Sequence, residues 1–226
     1  MEQLVFELAP PEPPSFANFV EGRNGEPLAK LSAASRGEVP ESSILLWGAP
    51  GGGRSHLLRA AVAASLRPAT YLASPSDLRD AIGEGPALVA VDDVDSADAQ
   101  AQGRLFTLFN RLADAGGCLI TAAAAPPARL PLRDDLRTRL GSGLVYEVVP
   151  LSDADKPEAL ARYARARGFR LGEDVIDYLL AHGRRDMPTL VAVLGALDRH
   201  SLAAKRAITI PMLRQWLQHE LPWREE

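Results

Sequence analysis

The chain has 226 residues and a net charge of −4, and 46% of its residues are hydrophobic while 24% are charged. This composition is typical of a globular protein with enough apolar residues for a substantial core. No apolar run approaches the roughly 18 residues that a membrane span requires, and the N-terminus lacks the basic start and apolar stretch of a secretory signal. We therefore expect a cytoplasmic protein without a membrane partner. The acidic balance argues against autonomous binding of duplex DNA, which usually depends on a basic surface.

The single cysteine excludes an intrachain disulfide framework. Cys118 lies in an apolar run with Leu119 and Ile120, so a buried structural thiol is a better interpretation than a nucleophile. The four histidines are scattered without the spacing of metal ligands.

Residues 1–14 form a separate segment. Its residues 9–14 are rich in proline, which favours an extended and semi-rigid spacer. The six residues before the spacer form a short apolar peptide that is better placed to reach another protein than to join the core. One residue can hydrogen-bond at the rim of a pocket and three can serve as apolar anchors: Gln3, Leu4, Phe6 and Leu8. A disordered tail with incidental hydrophobic residues is the alternative interpretation.

Short apolar strands alternate with helical patterns from residue 15 to residue 150. The predicted strands are residues 44–47, 69–73, 87–91, 118–121 and 144–148. Helices are predicted over residues 55–66, from Pro75 after the cap residue Ser74, and around the apolar face Leu105, Leu108, Phe109 and Leu112. This alternation predicts an α/β base with a parallel sheet and helices on both faces.

After Pro150 the pattern becomes entirely helical. Helices are predicted over residues 155–167 and 174–182, around the stripe Leu190, Val193, Leu194 and Leu197, and from Pro211 through Leu217, after a short extended link at residues 208–210. We interpret residues 151–226 as a small C-terminal helical lid and residues 15–150 as the α/β base.

The strongest motif is Gly48-Ala49-Pro50-Gly51-Gly52-Gly53-Arg54-Ser55, which follows a predicted strand and opens a predicted helix. This is the context of a P-loop, in which glycines let backbone N–H groups turn around phosphate oxygens and the helix adds its positive end. Ser55 occupies the Mg²⁺-ligand position. Arg54 stands where lysine is usual, and its planar fork is larger than an ammonium group. We expect phosphate binding to survive and γ-phosphate chemistry to be weak; a glycine-rich turn without a ligand is the alternative.

Asp92 and Asp93 close a predicted strand. In P-loop proteins a strand-end carboxylate helps to hold Mg²⁺, and an adjacent acid can orient the attacking water. Two aspartates in a turn are common, but together with the phosphate loop they favour a metal site formed by Ser55 and Asp92. Arg139 precedes the last strand of the base, where an arginine can reach a neighbouring subunit's nucleotide. From the residues alone, a solvated surface arginine is the favoured interpretation.

These residues resemble the AAA+ portion of the bacterial replication initiator DnaA. The matching segments, in order and spacing, are Gly53-Arg54-Ser55-His56-Leu57-Leu58, Asp92-Asp93, Arg137-Thr138-Arg139-Leu140-Gly141 and Leu151-Ser152-Asp153-Ala154-Asp155-Lys156. Within this family the chain is most similar to the Hda group of regulatory inactivators. It shares Arg54 with that group, and we expect it to end after the lid, without the initiator's helix-turn-helix DNA-binding domain. Its N-terminal hexapeptide looks like the peptide by which Hda docks on the DNA polymerase sliding clamp.

The resemblance implies a P-loop AAA+ base that binds ADP or ATP, with Mg²⁺ if the nucleotide carries metal, and it implies that His56 belongs to the nucleotide site. It implies a negative regulator of replication initiation, in which bound ADP favours the active form. On the DNA-loaded clamp, the β subunit of the polymerase, such a protein promotes hydrolysis of DnaA-bound ATP and reaches DNA only through the clamp. Arg139 is then an arginine finger acting in trans, and the clamp contacts are Gln3, Leu4, Phe6 and Leu8.

Two positions depart from the family's pattern. After the fourth strand the family often has a polar sensor, but Ala123 and Ala124 cannot hydrogen-bond through their side chains. In the lid, Pro188 stands where the sensor arginine is expected, and the sequence leaves open whether Arg184 or Arg185 replaces it. Together with Arg54, these losses predict weak or absent intrinsic ATPase activity, as in a regulatory protein rather than a vigorous enzyme.

Three alternatives remain open. An autonomous AAA+ ATPase or loader would hydrolyse ATP by itself, with Asp93 orienting the water. A nucleotide-independent adaptor would show no thermal shift with ADP. A different DnaA-like AAA+ adaptor would share the base but have no role at the initiator. The sequence also leaves open which nucleotide is preferred and whether the chain forms homo-oligomers.

Overall fold

The computed structural model describes residues 13–78, 87–183, 186–204 and 207–214. Contacts divide the chain into two compact units, of which one holds residues 14–150 and the other begins at Leu151. The N-terminal hexapeptide predicted to bind the clamp, together with Arg184 and Arg185, lies outside the described residues.

A five-stranded parallel sheet forms the centre of the base. Its strands are β1 (Ser43–Trp47), β2 (Ala69–Leu72), β3 (Leu88–Val91), β4 (Cys118–Ala123) and β5 (Leu144–Glu147). The spatial order is β2-β3-β4-β1-β5, and every neighbouring pair is parallel. The predicted parallel sheet is therefore confirmed. Because all strands run the same way, their carboxyl ends share one edge, with β4 lying between β1 and β3.

Helices cover both faces of the sheet, as predicted. They are α1 (Gly25–Arg36), α2 (Arg54–Ala63), α3 (Ala99–Asp114) and α4 (Asp134–Gly141). Successive residues of a strand point to opposite faces, so Ile44 packs in one core with Leu31 of α1 and Leu57 of α2. Leu45 packs in the other core with Leu105 of α3. The α/β architecture thus follows from strands that are apolar on both faces.

Some local predictions need correction. The helix predicted from Pro75 is a 3₁₀ turn over Pro75–Asp77, although Ser74 caps it as expected. Helices α1 and α4 are absent from the sequence-based assignment. In α4 only Leu136 and Leu140 are buried, because most other positions are charged or polar. One apolar pair a single turn apart is too short a pattern to indicate a helix.

Asn24 joins the start of α1 to the backbone that follows β5. Its side-chain amide donates to the Val149 carbonyl at 2.9 Å, and its side-chain oxygen accepts from the Val149 amide at 2.8 Å. Asn24 is only 2% exposed. This paired contact satisfies backbone groups that no strand partner reaches.

We expect Asn24→Ala to destabilise the protein by about 2 kcal/mol, because two backbone groups lose their partner in a partly buried place. Urea unfolding should show a lower midpoint with an unchanged slope. Asn24→Asp would place a carboxylate oxygen against the Val149 carbonyl oxygen at a position that is 2% exposed, so its midpoint should lie no higher than that of the alanine variant. An Asn24→Ala midpoint equal to that of the wild type would contradict this role.

The second unit is helical, as predicted. It contains α5 (Lys156–Ala166), α6 (Glu173–His182) and α7 (Met187–Ala204), and residues 210–214 are also helical. This last helix begins one residue before Pro211, so Ile210 belongs to it and not to an extended link. The unit has its own core, which includes Leu160, Ile176, Leu179, Leu190, Leu194 and Leu213. No helix within the described ranges is both long enough and apolar enough to cross a bilayer.

Cys118 is a buried free thiol, which confirms the structural interpretation. Burial raises its pKa to about 12. The thiol is therefore protonated at neutral pH and is a poor nucleophile.

Candidate phosphate-binding site

The loop between β1 and α2 makes a tight turn at the centre of the sheet edge. Gly48, Gly51 and Gly53 have positive φ angles of 152°, 78° and 98°. The Gly48 amide donates to the carbonyl of Ala123 at the end of β4, at 3.3 Å, and the Gly53 carbonyl accepts from Leu57 in the first turn of α2, at 3.0 Å. The loop thereby sets the amino end of α2, a ten-residue helix, at the edge where the parallel strands end.

Space, as well as φ, explains two of these glycines. A Cβ atom at Gly48 would lie 2.4 Å from the carbonyl oxygen of Val148, and one at Gly53 would lie 2.7 Å from Cε2 of Phe19. A Cβ atom at Gly51 would meet nothing within 4 Å. The loop is therefore packed against protein at Gly48 and Gly53 and open at Gly51.

Arg54 is the first residue of α2 and is half-buried. Its Nη1 donates a hydrogen bond to the carbonyl of Ala123, the same oxygen that accepts from the Gly48 amide. The guanidinium group is therefore held at the end of β4, between the strand that carries the loop and the strand that carries the acids. Ala123, which has no polar side chain, contributes to this edge through its backbone.

Asp92 follows β3 and is 4% exposed. Its Oδ2 accepts from the Tyr71 hydroxyl at 3.0 Å, and its Oδ1 accepts from the Asp93 amide at 3.1 Å. The Arg59 guanidinium carbon of α2 lies 4.9 Å from the centre of the Tyr71 ring. The carboxylate is thus oriented by β2 and by its own backbone. Tyr71 and Arg59 could not be predicted as neighbours of Asp92, because their relation to it depends on the order of the strands.

Asp93 adopts a left-handed conformation, with φ of 48° and ψ of 46°, before a 3₁₀ turn over Val94–Ser96. Burial raises its pKa, the charge of Asp92 raises it further, and the charge of Arg54 opposes the rise. Left-handed backbone is uncommon outside glycine, although aspartate tolerates it better than most residues. The two strand-end acids and Arg54 therefore belong to one electrostatic group.

The donor groups fit an anion better than a metal ion. Backbone amides, the amino end of α2 and the Arg54 guanidinium are the kinds of group that bind phosphate. For Mg²⁺ the chain offers the exposed Ser55 hydroxyl and the Asp92 carboxylate, both of whose oxygens already accept hydrogen bonds. The part of the chain that the structure describes contains no group of three or more His, Cys, Asp or Glu side chains able to hold a metal ion.

His56 contacts the segment that leads into the base. Its Nε2 donates to the Ser15 carbonyl at 2.9 Å, and its ring centre lies 5.4 Å from that of Phe19. Burial lowers the pKa of His56, partly offset by the Ser15 hydrogen bond. A neutral imidazole therefore fastens this segment to α2 beside Gly53.

Arg139 lies exposed on α4. Its guanidinium carbon is 5.3 Å from the ring centre of Phe106 and 5.4 Å from that of Phe109, both on α3. Arg137, two residues earlier, is paired with Asp134 at 2.5 Å, whereas Arg139 forms no ion pair with any described residue. Two aromatic rings thus hold the cation of Arg139 at the surface.

In the second unit, Pro188 is the second residue of α7.

Comparison with known proteins agrees with this architecture. Residues 153–217 match the family model described as "Hda, lid domain". Domain III of the Thermotoga maritima replication initiation protein DnaA is 20% identical over 95% of this chain and 100% of that chain, with a TM-score of 0.68. AMPPCP-bound DnaA from Aquifex aeolicus is 21% identical over 88% of this chain and 69% of that one, with a TM-score of 0.68.

A RuvB variant from Thermotoga maritima is 16% identical over 91% of this chain and 72% of that one, with a TM-score of 0.65. At these identities the solved structures show the fold alone, and the family model applies to residues 153–217. The chain thus combines the fold of DnaA domain III with a C-terminal segment, residues 153–217, that is similar to the Hda lid domain.

Proposed function

We propose that this protein is a negative regulator of replication initiation that binds an adenine nucleotide and stimulates hydrolysis of ATP held by DnaA. The observation that carries the proposal is the Hda lid match over residues 153–217. The base supports it, because its fold is that of DnaA domain III. Two AAA+ bases of one kind are suited to pair so that one supplies a side chain to the nucleotide of the other.

The phosphate loop supports binding of ADP or ATP by this chain. Its middle is open at Gly51, and the amino end of α2 lies at the same place. Hydrolysis of the chain's own nucleotide should be weak. Arg54 is engaged with the Ala123 carbonyl, and Ala123 has no polar side chain to contact a γ-phosphate or a water molecule. A protein of this kind binds its own nucleotide without rapid hydrolysis and stimulates hydrolysis of the nucleotide that its partner binds.

Arg139 is the residue we propose as the trans-acting finger. Arg139 is exposed, and its guanidinium group contacts the rings of Phe106 and Phe109. It forms no ion pair with any described residue. Stacking on aromatic faces leaves the N–H edge of a guanidinium free to donate. Because the cation is already localised, it loses less conformational freedom when it enters a partner's site.

We propose that the N-terminal hexapeptide docks on the sliding clamp and that the protein reaches DNA only through it. Replacing Gln3 and Phe6 together by alanine is expected to abolish association with the DNA-loaded clamp, because it removes a rim hydrogen bond and an apolar anchor. The melting temperature should not change. Glu7→Ala in the same peptide is the matched control and should still bind. Surface plasmon resonance on immobilised clamp measures both, and undiminished binding of the double variant would contradict the assignment.

Reconstitution tests the whole proposal. Purified chain, DNA-loaded clamp and DnaA carrying labelled ATP are combined, and hydrolysis is measured with each component omitted in turn. We expect fast hydrolysis only in the complete mixture. Comparable hydrolysis by the chain alone would favour an autonomous ATPase instead. No stimulation in the complete mixture would favour an adaptor with no role at the initiator.

A further inference from the structure

We propose that Arg54 is a fixed counter-charge for the bound phosphates, so that the loop takes an adenine nucleotide without a divalent cation. The inference rests on the proposed nucleotide binding at this loop. It assigns a ligand class, the metal-free nucleotide, to a site whose sequence pattern suggests a magnesium complex.

Arg54 is held in a defined position beside the loop. Its Nη1 is bonded to the Ala123 carbonyl, which also accepts from the Gly48 amide, the first of the loop. A guanidinium has five N–H donors and no acceptor, and it stays charged. One donor fixes the group and the others remain for an anion. The side chain therefore brings a permanent positive charge to the loop in a defined place.

The state of Asp92 bears on metal binding. A Mg²⁺ ion in a nucleotide site requires near-octahedral oxygen ligands and is usually held by one or two carboxylates together with phosphate oxygens. Each oxygen of Asp92 already accepts one hydrogen bond, one from the Tyr71 hydroxyl and one from the Asp93 amide, which leaves a single lone pair on each oxygen for a cation. The guanidinium carbon of Arg59 lies over the Tyr71 ring, 4.9 Å from its centre. The carboxylate is thus directed by β2 and by its own turn.

Electrostatics also bear on metal binding at this edge. Arg54 is held at the end of β4, next to β3, whose end carries Asp92 and Asp93, so a positive charge already lies beside the acids at this edge. A divalent cation placed at the same edge would be opposed by the guanidinium, and a partly buried edge screens that repulsion less than bulk water does. The geometry therefore favours neutralisation of phosphate by arginine and amides over neutralisation by metal.

The experiment measures ADP affinity by titration calorimetry on the full chain, once with excess magnesium and once with EDTA. For the wild type we expect the same Kd in both buffers within error. Arg54→Lys replaces the fork by a compact ammonium, so this variant should bind ADP several-fold more tightly with magnesium than without. Arg54→Ala should weaken ADP by about 10-fold or more in EDTA, the scale of a lost hydrogen bond to a charged group.

Arg36→Ala is the matched control, because Arg36 is an exposed arginine paired with Glu38, and its Kd should equal that of the wild type. The melting temperature of each variant, measured without ADP, reports folding; if Arg54→Ala does not fold, Arg54→Lys decides. Wild-type binding that is present with magnesium and lost in EDTA would overturn this inference and leave the proposed function standing. Absence of ADP binding in both buffers would overturn the nucleotide site as well.

Discussion

Replacing Arg139 by alanine is expected to abolish stimulation of DnaA-bound ATP hydrolysis while the protein stays folded and still binds the clamp. A finger arginine stabilises charge on the transferring phosphoryl oxygens and is worth roughly 10³–10⁵ in rate. The structural cost should be small, because the exposed side chain contacts Phe106 and Phe109 but forms no ion pair with a described residue. Such cation–π contacts at exposed sites are worth about 0.5–1 kcal/mol. Single-turnover hydrolysis by labelled ATP-DnaA on the loaded clamp measures the effect.

Arg137 provides the matched control for this prediction. It lies on the same helix, and its guanidinium is engaged with Asp134 at 2.5 Å. Arg137→Ala should therefore leave most of the stimulation intact. Arg139→Lys keeps the charge but loses the planar fork, so it should recover only part of the rate. Undiminished stimulation by Arg139→Ala, or its complete loss in Arg137→Ala alone, would reject the finger assignment.

The strands of the base could be predicted because buried parallel strands are continuous apolar runs that end at turn or acidic residues. Leu88–Val91 is such a run, and it stops at Asp92 as predicted. The largest difference is at β4, which continues through Ala122 and Ala123. These alanines pair with Leu46 and Trp47 of β1. The end of β4 is therefore determined by pairing with the neighbouring strand and not by the intrinsic strand propensity of alanine.

Helix α1 could not be predicted, because its buried face is made partly of small residues. Ala34 and Ser35 lie on that face, and the Ser35 hydroxyl lies 2.9 Å from the carbonyl oxygens of both Leu31 and Ala61, to either of which it can donate its one hydrogen. Close packing of α1 on α2 replaces the large apolar side chains that a periodicity search detects.

The composition of the loop was readable from sequence, but its contacts were not. Arg54 reaches Ala123, 69 residues away, and Tyr71 reaches Asp92, 21 residues away. Both contacts depend on β4 lying between β1 and β3 and on β2 lying next to β3. A periodic pattern identifies strands but does not order them. The sequence therefore predicted that Arg54 lies at the phosphate loop, but not that the backbone carbonyl of Ala123 holds its guanidinium group.

A second large effect is expected from Gly48→Ala. The added Cβ atom would lie 2.4 Å from the backbone oxygen of Val148, and no flexible side chain can move to relieve that clash. Overpacking against fixed structure costs about 1–3 kcal/mol, and an unfavourable backbone conformation adds about 1–3 kcal/mol more. We expect a loss of about 3 kcal/mol in the free energy of unfolding. We also expect loss of ADP binding, because Gly48 and Arg54 share the Ala123 carbonyl.

Gly51→Ala separates steric clash from backbone strain. Gly51 also has a positive φ, of 78°, but its Cβ atom would meet nothing within 4 Å. This variant should therefore lose only about 1–2 kcal/mol, the cost of a left-handed non-glycine residue. Urea unfolding gives both losses, and the stabilisation by ADP gives binding, since ligand at 100 times Kd adds about 2.7 kcal/mol. Equal losses in the free energy of unfolding would mean that the positive φ angle alone explains why glycine is needed at both positions. The packing of Gly48 against Val148 would then make no contribution.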